Sequence, residues 1–167
     1  SSPAAPGDIA VLVRTNDQAQ LIKDKLSRRH IPSVLYSTGN IFDSREAYEL
    51  QTILSGIADP ANVARLKAAM ATDIIGMQAR DLISDDPESP LWNSRLVQFG
   101  NYNRIWERYG FIRMLRLLLV EEKVRQRLLR LPDGERRLTN VLHLTEILHR
   151  QSLEKNQGMA NLLKWLT

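Results

Sequence analysis

Five apolar residues, Ile9 to Val13, stand between Asp8 and the tripeptide Arg14-Thr15-Asn16, and this arrangement limits what the start of the chain can become. The run has the length and β-branched content of a strand buried on both faces, as strands of parallel sheets are. Thr15 or Asn16 can cap a following helix, Asp17 to Arg29, in which Leu21, Ile22, Lys25 and Leu26 recur at helical spacing. Pro32 ends that helix, and Ser33 to Tyr36 supplies a second short strand. The opening therefore reads strand, helix, strand, with parallel pairing and a right-handed crossover. Arg14 then falls at a carboxyl strand end, where ligands bind in open α/β sheets. Two parallel strands are too few for a domain of their own.

From Ser44 onward the periodicity is helical. Ser44 caps a helix through Ala58, with Glu46 in its first turn, where the helix dipole favours a carboxylate. Asp59-Pro60 ends it, and Asn62 starts another with Val63, Leu66, Ala69 and Met70 on one face. Gly76 breaks that pattern before a short segment, Gln78 to Ile83. The stretch from Ser84 to Pro90 is acidic and twice interrupted by proline, so it reads as a linker between two groups of helices. Beyond it the pattern predicts a helix from Leu91 to Tyr109, a reset at Gly110, an apolar helix from Phe111, and a basic helix to Leu131. Pro132-Asp133-Gly134 is a turn, followed by an amphipathic helix over Arg136 to Gln151 and a last helix after Asn156-Gln157-Gly158. That last apolar stripe is still running at Leu166, which suggests that the natural protein continues. The fold expected is an α/β start followed by mainly α structure.

Composition excludes several kinds of chemistry. With no cysteine among 167 residues, a disulfide framework, a thiolate metal site and a cysteine nucleophile are all ruled out. His30, His143 and His149 are too scattered for a metal cluster. No apolar stretch approaches the ~20 residues that cross a bilayer. The leading Ser-Ser-Pro-Ala-Ala-Pro-Gly lacks the pattern of a signal peptide and reads as a linker or an artificial edge. No phosphate-cradling G-x-x-x-x-G-K-[ST] loop occurs, and no acidic pair follows a strand to hold magnesium, so the chain alone should not hydrolyse ATP.

The net charge of +4 is unevenly distributed. Residues 1 to 100 carry 10 Lys and Arg against 12 Asp and Glu, whereas residues 101 to 167 carry 13 against 7. Arg125, Arg127, Arg130, Arg136 and Arg137 belong to an arginine-rich run interleaved with Tyr102, Trp106, Tyr109 and Phe111. Such a mixture suits phosphate contact with base or sugar stacking, and it equally describes a solvated helical face.

The run IAVLVRTNDQAQLIKDKLSRRHIPSVLYSTGNIFDSREAYEL, Ile9 to Leu50, resembles the start of the second RecA-like motor domain in superfamily 1 helicases of the UvrD, PcrA and RecB kind. RLKAAMATDIIGMQARDL, YNRIWERYGFIRMLRLLL and GERRLTNVLHLTEILH, in that order, narrow the resemblance to RecB-like helicase-nuclease subunits. The resemblance implies an internal piece of a longer protein. In it, residues 1–7 are a linker or edge, 8–43 a partial RecA-like motor domain, and 44–167 an inserted helical subdomain with an internal linker near 84–90. It also implies a bacterial, cytoplasmic parent that unwinds and degrades double-strand DNA ends for recombinational repair. That parent would use ATP and Mg2+ and work with RecC-like and RecD-like partner subunits. Arg14 matches the arginine that reaches the γ-phosphate of ATP from across the motor cleft, which makes it the expected catalytic and nucleotide-binding residue of the intact motor. Many relatives place a tyrosine before that arginine to stack on adenine; Val13 stands there here. Two alternatives are an AddA-type helicase-nuclease subunit and a helical protein-interaction scaffold without DNA contact.

Other groupings have plainer readings. Phe42 follows the Gly39 turn and is expected to plug the core rather than stack on a ligand. Glu46 and Glu49 lie three apart without a histidine or metal-ligand partner nearby, and read as helix N-terminal charges. Asn140, His143 and Glu146 recur at three-residue spacing on one helical face, where hydrogen bonding between helices is the expected role. Met70, Met77 and Met114 read as core filler.

Overall fold

The computed structural model describes residues 5–34, 40–82, 90–154 and 158–166. It divides into two compact units, Ser1–Asn40 and Ile41–Thr167.

In the first unit a 3-10 turn, Pro6–Asp8, precedes an irregular segment and helix α1, Asn16–Ser27. Thr15 caps α1: its hydroxyl accepts the Gln18 N–H at 3.3 Å. The expected strand over Ile9 to Val13 does not form. Residues 9–13 have no regular structure and are exposed, Leu12 to 95%. Ser33 and Val34 are likewise irregular, and Leu35 and Tyr36 lie outside the described residues. Among the described residues there is no strand, so the fold is all-helical, and the α/β opening with its RecA-like strand-helix-strand is corrected accordingly. The physical reason is that β-branched content favours a strand only where a neighbouring strand takes up its N–H and C=O groups and a packed face covers its side chains. Neither condition is met over residues 9–13.

The second unit contains every buried apolar residue described, from Ala47 to Leu166. Its central element is α2, Arg45–Ala58, which Ser44 caps by accepting the Ala47 N–H at 3.2 Å. Pro60 disfavours the helical region for the residue before it, and Asp59 accordingly leaves the helix at φ −137°. Leu50, Ile53, Leu54 and Ile57 of α2 have no exposed surface; burying each stabilises the fold by roughly 1.5–3 kcal/mol. α3, Val63–Met70, is capped by Asn62 and packs along α2. The two helices approach so closely at Gly56 that a Cβ there would stand 2.9 Å from that of Ala69.

A tight turn follows α3. Thr72 donates its hydroxyl to the Ala69 carbonyl at 2.7 Å and accepts the Ile75 N–H, while the Met77 N–H reaches back to Met70 O. Gly76 completes the turn at φ +68°. The short helix α4, Ala79–Leu82, precedes residues 83–89, so the acidic, proline-interrupted linker falls outside the described residues except for Pro90. Pro90 opens α5, Pro90–Tyr109, the position where a missing N–H does no harm. Then come α6, Phe111–Glu121, the short α7, Val124–Leu128, α8, Gly134–Glu154, and α9, Met159–Trp165. α5 packs on α6, α7 and α8 pack on one another and on α6, and α2 touches α5, α8 and α9. Phe42 closes one side, half-buried against Trp165 in an edge-to-face contact at 5.1 Å, which is the packing role expected of it. No described helix is long and apolar enough to cross a membrane.

Candidate functional site

The most concentrated polar chemistry gathers around Arg137 of α8. Its Nε donates to Glu46 Oε1 at 2.8 Å, one terminal nitrogen to Asp73 Oδ2 at 2.7 Å, and the other to Glu49 Oε1 at 2.9 Å. Asn140, one helical turn on, donates to the second Glu46 oxygen at 2.9 Å, and the Ile74 N–H donates to the second Glu49 oxygen. Arg45 adds charge from outside, binding Glu49 at 2.8 Å and Asp73 at 2.6 Å. Burial by itself disfavours the Arg137 charge. The hydrogen bond to Asp73 and the charges of Glu49 and Glu46 outweigh that and hold the guanidinium above its usual pKa. Glu46 and Glu49 are therefore the buried partners of an arginine, clamping α8 and the Asp73 turn onto α2, and more than helix N-terminal charges. The carboxylates close on guanidinium groups, and among the described residues no cluster suits a metal.

A second buried network lies at the α5 to α6 packing. Arg95 pairs with Glu122 at 2.8 Å, and the Tyr102 hydroxyl donates to the same carboxylate at 3.2 Å while accepting from Gln98 at 2.9 Å. Burial, reinforced by the Glu122 charge, pushes the Tyr102 phenol far above its usual pKa. Tyr102, Trp106 and Phe111 are core residues in edge-to-face contacts, with Phe99 beside Tyr102 and Trp106 beside Phe111. They are thus not available for base stacking. Tyr109 is half-exposed, with Arg113 over its ring at 4.6 Å.

The five basic candidates separate by location. Arg137 is buried in its carboxylates. Arg127 is half-buried: one terminal nitrogen bonds the Ile75 carbonyl, the other the Glu122 carbonyl at 3.0 Å, and its Nε is enclosed without a partner. Desolvation lowers its pKa, an effect to which Arg95 adds and which the Glu122 charge opposes. Arg125, Arg130 and Arg136 are exposed. Lys123, between α6 and α7, adopts the left-handed conformation at φ 51°, φ-positive backbone that no local sequence signal announces. Lys123, Gln126, Arg127 and Arg130 line a cavity of about 540 Å³ beside Asp73 and Gly76.

Arg14 is exposed and precedes the α1 cap, its own N–H donating to Gln18 Oε1 at 3.2 Å, and no strand end carries it. Of the α8 trio, Asn140 joins the Arg137 cluster while His143 and Glu146 are exposed, so the three do not assemble a site. Asp73 and Glu122 were not singled out from the sequence, since their partners lie on other elements.

Residues 4–164 match the UvrD-like helicase C-terminal domain. The chain belongs to that family. Within it, the chain is homologous to RecB subunits: it is 32% identical over 166 residues to the RecBCD enzyme subunit RecB of Escherichia coli, covering 99% of this chain and 14% of that protein. The RecB subunit of Haemophilus influenzae is 37% identical over 159 residues, 95% of this chain and 13% of the relative. The RecB subunit of Mycobacterium tuberculosis is 23% identical over 167 residues. This UvrD-like domain thus spans about one seventh of the length of the curated relatives it matches.

Proposed function

We propose that this chain is the part of a RecB-like helicase-nuclease subunit that presents a helical, DNA-contacting surface beside the motor. The parent would process double-strand DNA ends for recombinational repair in the bacterial cytoplasm, with ATP and Mg2+ bound by other parts of the protein and RecC-like and RecD-like subunits as partners. The match to the UvrD-like family and the likeness to RecB support the parent's activity. The observation that carries the local role is the exposure of Arg125, Arg130 and Arg136 around α7 and the start of α8, within residues 101–167, whose charge balance is +6. Arg125 and Arg130 form no ion pair among the described residues, and Arg136 approaches Glu46 only at 4.0 Å. Unpaired exposed guanidinium groups are what phosphate neutralisation requires. Arg14, exposed at the head of α1, is proposed to reach the γ-phosphate in the intact motor, where a cation offsets charge developing during phosphoryl transfer.

Fluorescence anisotropy of a labelled forked DNA tests the surface. Binding should fall steeply with salt, and replacing Arg125, Arg130 and Arg136 by alanine should weaken it about tenfold or more. Absence of binding even at low salt would leave this chain a protein-docking scaffold.

A further inference from the structure

At the cavity between the Asp73 turn and α7 several cations converge without ion-pair partners of their own among the described residues. Lys123, at the left-handed turn before α7, Gln126 and Arg127 within α7, and Arg130 just beyond it line the cavity wall. Among the described residues none of the three forms an ion pair. Arg127 cannot swing away, because two backbone carbonyls hold its terminal nitrogens. Its hydrogen bonds go to neutral oxygens, and Glu122, whose charge acts on it, is itself paired with Arg95. The single carboxylate of the lining, Asp73, already accepts from Arg45 and Arg137 through the same oxygen. A lining of three cations and one acid, with that acid doubly paired, leaves a positive field in a concave, partly desolvated space, where electrostatic attraction exceeds that at an open surface.

We infer that this cavity is a phosphate-binding seat, with Lys123 and Arg130 as the contacting cations, Gln126 as an added donor and Arg127 as a fixed positive wall. Its volume of about 540 Å³ exceeds that of a bare phosphate and admits a sugar-phosphate unit. A DNA strand as the source of that phosphate rests on the DNA-contacting role proposed above; the phosphate chemistry itself rests on the cavity alone.

The test is a set of 1H–15N titrations of the full chain with inorganic pyrophosphate, a short oligothymidylate and an oligoglutamate of equal charge. They are repeated for Lys123→Gln with Arg130→Gln, and for Arg125→Gln with Arg136→Gln as the control outside the cavity. Urea unfolding midpoints establish that both double variants fold. The expected result is movement of the Gly76 and Gln126 amides with oligothymidylate and with pyrophosphate, the pyrophosphate binding being about tenfold weaker in the cavity variant and at most about threefold weaker in the control. Movement with pyrophosphate but no binding of oligothymidylate would uphold the phosphate seat and overturn the DNA-contacting role. Oligothymidylate binding that both variants weaken equally, without movement of Gly76 and Gln126, would overturn the seat and leave the DNA surface standing. Oligoglutamate binding as tightly as oligothymidylate at the same amides would overturn it in favour of an acidic protein partner.

Discussion

Arg137 has one guanidinium and three carboxylate partners, two of them buried, and that ratio governs what its loss would do. Arg137→Ala would strip Glu46 of its close cation and leave Glu49 with the exposed Arg45, and is expected to destabilise the chain by about 3 kcal/mol, the lower end for breaking a buried ion pair, read as a lower urea midpoint at unchanged slope. Arg137→Lys should recover only part of this, since one ammonium cannot reproduce the fork that meets Glu46, Glu49 and Asp73 at once. Tyr102 makes the complementary point through pH. Burial beside Glu122 raises its phenol pKa, so the folded chain keeps a proton that the unfolded chain releases above about pH 10. Its effect on stability is constant below that pH and unfavourable above it, steepening the alkaline loss by up to about 1.4 kcal/mol per pH unit. Tyr102→Phe should flatten the decline of unfolding free energy between about pH 10 and 11, measured by urea titration at each pH.

Among the elements, the turn from Ala71 to Met77 does more than connect α3 to α4. It supplies Asp73 to the Arg137 cluster, the Ile74 N–H to Glu49 and the Ile75 carbonyl to Arg127, tying α2, α7 and α8 together. Gly76 makes this possible twice over: its φ of +68° disfavours any L side chain, and a Cβ would collide with the Arg127 guanidinium. Gly76→Ala is expected to destabilise by about 1–3 kcal/mol and to displace Arg127, visible as a changed Arg127 Nε resonance. Helix boundaries around this turn were readable from local chemistry, because Ser44, Asn62 and Pro60 act within one turn of where they sit. The partners of Glu46 and Glu49 were not, because Arg137 lies 91 and 88 residues away along the chain.

At the scale of the whole molecule, the two units differ in how they are held. All the buried apolar residues described belong to Ile41–Thr167, whereas no residue of Ser1–Asn40 whose side chain is described is buried. α1 has a Thr15 cap and a Gln20 to Asp24 hydrogen bond, local devices worth little for a helix of 12 residues. Hydrogen exchange should therefore be fast across α1 and slow across α2, α6 and α8, whose amides open only with the core. Comparable protection in α1 would show a stabilising cover that its exposure gives no reason to expect. The amino-acid sequence by itself determined the helical pattern from Ser44 onward, the basic bias of the second half and the membership in the UvrD-like family. These rest on spacing, caps and residue order, properties of short stretches. Only the tertiary structure decided that the Ile9 to Val13 run stays unpaired, that Tyr102, Trp106 and Phe111 are core, and that Arg137 is buried while Arg125, Arg130 and Arg136 face solvent. Strand formation, burial and charge pairing depend on groups brought together from distant parts of the chain, and local propensity carries no record of which neighbours will arrive.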